Sequence, residues 1–185
     1  HVVEPGFPAA LADTSFTQHF FTLWTVTRAR AIVACGHLLG RPLVEDEVEG
    51  VNWGMAELAR SSSASDLGAA LDAVAAYRRA VLGWWADGYD LLLTPTLAAP
   101  PLEIGALDAP DEPMLSIIGA SEWAAFTPQF NTTGQPAISL PLHWSAEGLP
   151  IGVQLVAAYG REDLLIRVAA QLEAAQPWAQ RRPPT

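Results

Sequence analysis

The stretch FTPQFNTTGQPAISLP, residues 126–141, decides the fold because it passes from helix to strand through one tight turn. Gly134 permits the left-handed backbone that ends a helix, and Pro136 ends a helix and starts a strand. Apolar residues then alternate at Ile138, Leu140 and Leu142, and again at Ile151, Val153 and Leu155. This period of two on either side of a Ser-Ala-Glu-Gly turn predicts a β-hairpin.

The segments around the hairpin alternate helical and strand patterns. Glu162 and Asp163 suit the start of a final helix, which Pro177 ends. Upstream, an apolar stripe from Leu67 to Trp84 predicts a long helix ending near Gly88. The run YDLLLT, residues 89–94, is typical of a strand buried on both faces. Residues 95–113 are rich in proline and alanine and favour an extended connector, and a short helix is expected over 121–130.

The N-terminal part of the sequence predicts an aromatic helix. Ser15 and Gln18 have the spacing of a capping box, and Gly40 stops the helical run that follows. Phe16, Phe20, Phe21 and Trp24 crowd its first turns, which is typical of a buried helix or of one beside a pocket. A second helix is expected over 51–59, and a third capped at Ser65 or Asp66. Residues 1–4 are expected to form part of a strand.

Composition excludes several classes of function. Half of the residues are apolar, mean hydropathy is +0.19, and the formal net charge is −10. Nucleic acid is therefore not expected as a partner, because its phosphates require clustered cations. No apolar run approaches the length of a membrane span, so no membrane partner is expected. The single cysteine, Cys35, favours a reducing, cytoplasmic location and permits no cysteine-based metal cluster. No metal site and no cofactor are expected.

Four segments in order resemble the amidase-signature hydrolases: residues 89–96, 126–141, 148–155 and 160–165. The sequences of residues 126–128 and 142–144 are most similar to those of the branch that includes the 6-aminohexanoate cyclic dimer hydrolases. The resemblance implies an α/β fold in which this chain supplies part of a mixed central β-sheet flanked by helices. Residues 1–185 are then expected to form the C-terminal portion of a single amidase domain, incomplete without its N-terminal part.

The resemblance also implies a mechanism: a serine nucleophile activated by a second serine on a cis peptide and by a neutral lysine. Those groups lie upstream of the matched region in the family, and this chain contains no lysine. No catalytic residue is therefore assigned to this chain, which is expected to be inactive alone. Its expected partners are an N-terminal catalytic segment, a small linear or cyclic amide substrate, and in one alternative a second copy of the chain.

Trp24 and Asn131 are the two candidate substrate-binding residues. A tryptophan ring offers a flat apolar surface with one donor, which suits the hydrocarbon part of an amide, although an ordinary core tryptophan explains it as well. Asn131 is placed to orient a pocket loop. The serines at 61–63 lack the flanking glycines of an oxyanion loop, and a triad of Ser139, His143 and an aspartate lacks a nucleophile elbow.

Two alternatives to the enzyme fragment remain open from the sequence. The first is a non-catalytic binding or structural module descended from an amidase and folded on its own. The second is an amidotransferase-type subunit of the same superfamily, whose role at transfer RNA would require basic surface that a net charge of −10 does not supply.

Overall fold

The computed structural model describes residues 1–109 and 112–183, and its chain divides into two compact units. Asp13–Tyr77 and Gly105–Ser121 are called the helical unit. His1–Ala12, Arg78–Ile104 and Glu122–Thr185 are called the sheet unit. Along the described residues the order is three helices, one strand, two helices, two strands and a last helix, and the architecture is α/β, as the sequence predicts.

The helical unit contains α1 (Phe16–Leu39), α2 (Gly50–Ala59), the first part of α3 (Ala64–Gly83) and the first part of α4 (Pro113–Trp123). Helix α1 ends at Gly40, whose φ of +70° confirms the predicted stop. Short 3-10 turns lie at Glu45–Glu47 here and at Ala9–Ala12 and Trp84–Asp87 elsewhere.

The predicted caps of α1 and α3 are wrong in detail. Ser15 has helical dihedral angles and its side chain caps nothing; its backbone N–H instead donates to Asp13, at 2.9 Å. Ser63, and neither Ser65 nor Asp66, caps α3, because its hydroxyl oxygen accepts the Asp66 N–H at 3.1 Å while the Asp66 carboxylate accepts the Ser63 N–H at 2.8 Å. Helix α1 begins at Phe16, where its apolar periodicity begins, whereas α3 begins at Ala64, three residues before the first residue of its predicted stripe.

The sheet unit contains three strands in the spatial order β1–β3–β2: β1 (Leu91–Pro95), β2 (Ala137–Trp144) and β3 (Pro150–Ala157). Both pairings are antiparallel, so the predicted hairpin is confirmed as β2–β3. The register shifts between Leu140 and His143, where Pro141 interrupts β2. Helix α5 (Pro128–Thr133) precedes β2, and α6 (Glu162–Ala175) follows β3.

The two faces of this sheet differ. One face, called here the α6 face, packs Leu140, Leu155 and Ala157 against Leu165 and Val168 of α6. The other, called the hydroxyl face, is apolar at one end, where Leu92 and Val156 meet Phe130 and the tryptophans at 84 and 85. Its other end carries polar side chains. Alternation along β3 therefore gives each face its own buried apolar cluster, and the hydroxyl face also carries a polar row.

Three other predictions for this part of the chain need correction. Residues 1–4 form no strand, and Val2 is almost fully exposed. Strand β1 is not buried on both faces, because the Leu93 side chain is 58% exposed. The helix expected over 121–130 has the wrong bounds: α4 already begins at Pro113, where the predicted connector ends and where a missing N–H suits a first helical turn, and α5 is a separate helix. Residues 110 and 111 of the connector lie outside the described residues.

Within the part of the chain that the structure describes, none of the helices is both long and apolar enough to cross a membrane.

Candidate functional site

Trp24 lies on α1 in a row of aromatic rings. Its ring centroid is 5.7 Å from that of Phe20, and Phe20 is 5.7 Å from Phe16. The Arg28 guanidinium carbon lies 5.9 Å from the Trp24 ring centroid on the next turn. The spacing of four residues places these side chains on one side of the helix. Trp24 is half-buried, so part of a flat apolar surface remains exposed.

Tyr77 closes the buried end of this aromatic row. Its ring stacks on Phe16 with centroids 4.3 Å apart, and the residue is 7% exposed. Burial, and secondarily the charge of Asp13, raise the pKa of Tyr77 to about 12. Within the described residues its hydroxyl has no hydrogen-bond partner. Tyr77 is therefore a neutral buried phenol over the whole physiological pH range, unsuited to act as a base.

A second feature of the helical unit is a groove of about 640 Å³ between the C-terminal half of α1 and α2. Apolar side chains such as Ile32, Val33 and Trp53 form most of its lining. The polar side chains of the lining are His37, Arg41, Glu57 and Arg60. Gly36 borders it where a Cβ atom would lie 2.9 Å from the Arg41 carbonyl oxygen, which explains why the return loop packs so closely on α1.

Asn131 lies on α5 in the sheet unit and is exposed. Its backbone N–H donates to the Thr127 carbonyl oxygen at 3.3 Å, and within the described residues its side-chain amide makes no hydrogen bond. The amide is therefore available to a ligand. Trp24 and Asn131 belong to different units, and each is a candidate on its own surroundings.

The turn after Asn131 is held by its own buried side chains. Gly134 has a φ of +73°, as the sequence predicts, and a Cβ there would lie 3.8 Å from the Arg78 guanidinium. The buried Thr133 hydroxyl donates to the Gln135 side-chain oxygen at 2.8 Å. Arg78 lies over the ring of Tyr159, 5.0 Å from its centroid. This packing fixes the direction in which β2 leaves α5.

The polar end of the hydroxyl face is a row across all three strands. Thr94 pairs with Gln154, and Gln154 pairs with Ser139, so the three side chains share one face. Gln154 is 5% exposed, and its amide nitrogen donates to the Thr94 hydroxyl and to the Phe126 carbonyl oxygen, each at 2.9 Å. Gln154 thereby ties the segment before α5 to the sheet.

The next row on this face contains no side chain on its central strand. The Thr96 and Ser139 hydroxyl oxygens are 2.7 Å apart and bridge over Gly152 of β3. A Cβ atom on Gly152 would lie 2.7 Å from each of those oxygens. Only glycine permits this bridge. The signal that sequence reasoning missed was a lone glycine inside a strand pattern, which marks a close approach.

Among the residues that the structure describes, no basic side chain hydrogen-bonds to Ser139. Its neighbour is the Thr96 hydroxyl, and β3 pairs Ser139 with Gln154 but His143 with Ile151, three residues apart and so on opposite faces. The triad of Ser139, His143 and an aspartate considered from the sequence is therefore not assembled. Ser61 and Ser63 serve helix ends, donating to the Leu58 carbonyl and to the Asp66 carboxylate. Over residues 1–109 and 112–183, no cluster of three or more metal-ligating side chains occurs.

Comparison with known proteins gives the following matches. The family model described as Amidase matches residues 29–166. Two 6-aminohexanoate-cyclic-dimer hydrolases, from Paenarthrobacter ureafaciens and Pseudomonas sp. (strain NK87), are 46% identical to 99% of this chain. A putative amidase AmiC of Mycobacterium tuberculosis (strain ATCC 25618 / H37Rv) is 35% identical over 97% of it and 36% of its own length. This chain spans 38% of the length of the two cyclic-dimer hydrolases.

Solved structures give the same picture. A 6-aminohexanoate cyclic dimer hydrolase complexed with substrate is similar with a TM-score of 0.91 and 46% identity, over 99% of this chain and 39% of that one. A bacterial aryl acylamidase of the amidase-signature enzymes has a TM-score of 0.65 at 21% identity, over 96% of this chain and 36% of that one. The second likeness is one of fold alone.

Proposed function

Because this chain belongs to the amidase-signature family, we propose that residues 1–185 form the C-terminal part of a single amidase domain that hydrolyses a carboxylic amide. The observation that carries the proposal is 46% identity over nearly the whole chain to hydrolases of which it spans 38%. The catalytic serines and lysine are proposed to reside on an N-terminal segment outside this sequence, which itself contains no lysine.

The proposed division of labour assigns binding and positioning to this chain. A Ser-Lys pair requires a lysine with a lowered pKa beside a serine hydroxyl. Ser139 has instead a neutral hydroxyl neighbour, and Ser61 and Ser63 serve helix ends. We also propose a cytoplasmic location, because the one cysteine, Cys35, is a free exposed thiol.

Trp24 is proposed to form an apolar wall against the hydrocarbon part of the substrate. Its half-buried ring is held between Phe20 and Arg28, so the exposed part is fixed in orientation. Asn131 is proposed to bind a polar group of the substrate, because its amide is exposed and has no hydrogen bond within the described residues. Each proposal rests on the surroundings of that residue alone.

The substrate class is proposed to be a linear or cyclic aliphatic amide. The name of the 46% identical relatives makes the cyclic dimer of 6-aminohexanoate the first compound to test. Its repeating methylene groups match the apolar surface that Trp24 offers, and its amides match the donor and acceptor that Asn131 offers.

The test is complementation. The chain is coexpressed with the part of the Paenarthrobacter ureafaciens hydrolase that it does not match, and ring opening of the cyclic dimer is followed by chromatography. We expect hydrolysis by the pair and none by either part alone. Amide hydrolysis by the purified 185-residue chain would refute the division of labour, and failure of the two parts to associate would refute the proposed placement of this chain.

The two binding residues are tested in the same reconstituted enzyme. Trp24→Ala is expected to raise KM about tenfold through lost apolar contact, and Trp24→Phe to restore most of it. Asn131→Asp is compared with Asn131→Ala to separate loss of the amide donor from loss of the side chain. Unchanged KM in both alanine variants would exclude these residues from the pocket.

A further inference from the structure

We propose that the groove between α1 and α2 is a second ligand site and that it binds an aliphatic carboxylate, with the hydrocarbon tail in the groove and the carboxylate on Arg60. This site goes beyond the proposed function, which places the amide substrate at Trp24 and Asn131. All the residues that line the groove belong to the helical unit.

The groove lies on a different side of α1 from Trp24. Its lining includes Ala29, Val33 and Gly36 of α1 but neither Trp24 nor Arg28. At about 100° of rotation per residue, those three positions lie roughly 120–180° around the helix axis from Trp24. A ligand in the groove therefore does not occupy the aromatic surface that Trp24 offers.

Small residues between the two helices give the groove its volume. Gly36 and Ala56 are buried there, and Ala29 is half-buried. Larger apolar side chains complete the lining, among them Ile32, Leu43 and Trp53. The volume of about 640 Å³ lies within the range of roughly 300–1,000 Å³ that small-molecule sites have. A hydrocarbon tail in the groove would also cover Val33, which is 60% exposed.

The charged side chains of the groove favour an anion. The chain as a whole has 20 acidic residues and 10 arginines. The lining nevertheless has two arginines and a histidine and, among the described residues, one carboxylate, that of Glu57. A ligand ammonium group could turn only to Glu57, which already lies 3.1 Å from Arg60. The lining therefore selects a carboxylate over an amine.

Arg60 is the guanidinium that a ligand carboxylate can reach. Two nitrogens of Arg41 donate to the Glu47 carboxylate, and one of them also donates to the Pro42 carbonyl oxygen. The Arg60 side chain is 73% exposed, and within the described residues its one ion pair is with Glu57. An exposed pair of this kind is weak, so Arg60 can offer its other N–H groups to a carboxylate in a charge-assisted hydrogen bond.

The end of α1 does not oppose an anion strongly. A helix C-terminus carries partial negative charge on its last carbonyl groups, and α1 ends beside the groove at Gly40. The carbonyl oxygens of Gly36 and His37 accept the backbone N–H groups of Arg41 and Gly40, at 3.1 and 3.3 Å. Because these oxygens are already hydrogen-bonded, Arg60 decides the charge of the ligand.

The test is calorimetric titration of the purified 185-residue chain with decanoate, and with protonated decylamine as the cation of matched length. We expect decanoate to bind at least about tenfold more tightly than decylamine, because only the carboxylate gains a charge-assisted bond to Arg60. Equal affinities, or tighter binding of decylamine, would overturn the proposed ligand class.

Two pairs of variants locate the site. Ala29→Leu fills the groove, and Ala34→Leu adds the same atoms at an exposed position of α1 outside the lining. We expect Ala29→Leu to weaken decanoate binding by at least about tenfold and Ala34→Leu by less than about twofold. Arg60→Gln removes the proposed head-group partner, whereas Arg30→Gln makes the same charge change outside the lining. The expected losses are about tenfold for Arg60→Gln and less than about twofold for Arg30→Gln.

Arg60→Gln decides the test even if Ala29→Leu fails to fold, because Arg60 is exposed and its replacement leaves the helix packing intact. Decanoate affinity that is unchanged in Arg60→Gln, or reduced equally in Arg30→Gln, would overturn the site. Loss of decanoate binding in Trp24→Ala would place the ligand on the aromatic row and overturn it as well. These outcomes are measured without the catalytic segment, so failure of this site leaves the proposed function intact.

Discussion

The sheet unit and the helical unit are built from similar proportions of apolar residues but are held together differently. In the sheet unit, four consecutive residues at the end of β3, from Gln154 to Ala157, are buried, and their polar atoms are paired across strands. In the helical unit, only Phe16, Thr25 and Gly36 of the 24 residues of α1 are buried, and exposed leucines and valines remain. The comparison teaches that strand pairing brings distant residues together in the sheet unit, whereas the aromatic side chains of α1 pack mainly on neighbours one turn away.

The same comparison bears on function. Side chains of the sheet unit that are far apart in sequence meet at defined distances, as Thr96 and Ser139 do at 2.7 Å. Polar contacts in the helical unit are mostly local, such as Thr25 to the Thr22 carbonyl oxygen one turn away. Matched substitutions in the two units should therefore change the free energy of unfolding by different amounts. For glycine to alanine, even the sign of the change should differ.

The largest difference is expected for glycine to alanine. Gly152→Ala places a Cβ 2.7 Å from the Thr96 and Ser139 oxygens, and we expect it to lower the free energy of unfolding by about 2 kcal/mol. The added Cβ of Gly68→Ala on α3 meets no atom of the described residues within 4 Å, and this change should raise the free energy of unfolding by about 0.5–1 kcal/mol, since alanine is the better helix former. Urea unfolding of the 185-residue chain measures both. Changes of the same sign would show that the hydroxyl bridge does not constrain β3.

The next effect concerns buried hydrogen bonds. Gln154→Leu leaves the Phe126 carbonyl oxygen and the Thr94 hydroxyl without their donor, and should cost about 2 kcal/mol. Thr25→Val removes only a bond within one helical turn and should change stability by less than about 0.5 kcal/mol. Hydrogen exchange of residues 126–131 should increase in Gln154→Leu alone. Equal losses in the two variants would contradict the distinction between long-range and local contacts.

Sequence reasoning predicted the parts of this contrast that local patterns encode. The β2–β3 hairpin follows from alternation of apolar residues on both sides of a turn. The end of α1 follows from Gly40, because the left-handed conformation that ends a helix favours glycine. The aromatic row through Trp24 follows from four-residue spacing. These features need neighbours within a few residues, so the sequence contains their whole cause.

The features that could not be predicted from the sequence depend on the register in which the strands pair. Thr94, Ser139 and Gln154 lie far apart along the chain, and only the pairing of three strands places them in one row. The prediction for β1 assumed cover on both faces, whereas the exposure of Leu93 depends on what lies beside the strand. The first part of α4, before residue 121, was missed because its proline and the prolines before it resemble a connector, although proline is acceptable in a first helical turn.

A smaller effect is expected in the helical unit at alkaline pH. Burial raises the pKa of Tyr77 to about 12 from an ordinary value of 10.0, so the unfolded chain ionises this phenol first. The contribution of the neutral Tyr77 phenol to the free energy of unfolding is therefore complete below pH 10 and is lost as pH rises toward 12. Tyr77→Phe should remove that part of the pH dependence with little change at pH 7, because the hydroxyl has no partner within the described residues. Urea unfolding at pH 8 and 11 tests this prediction. It would be contradicted if the free energy of unfolding of Tyr77→Phe fell between the two pH values by as much as that of the wild type.

The smallest effect is expected at the exposed ion pair after α1. Two guanidinium nitrogens of Arg41 and the Val44 backbone N–H donate to the Glu47 carboxylate, and they lower its pKa from 4.5 to about 2. A depressed carboxylate pKa stabilises the fold above the unfolded value, so this contribution fades as pH falls from 4.5 toward 2. Glu47→Gln should flatten the acid limb of the stability profile slightly, and Arg41→Gln should flatten it less, because the Val44 N–H remains. If both variants gave the same profile, Arg41 alone would account for the effect; if high salt left the wild-type profile unchanged, an exposed pair would be the wrong explanation.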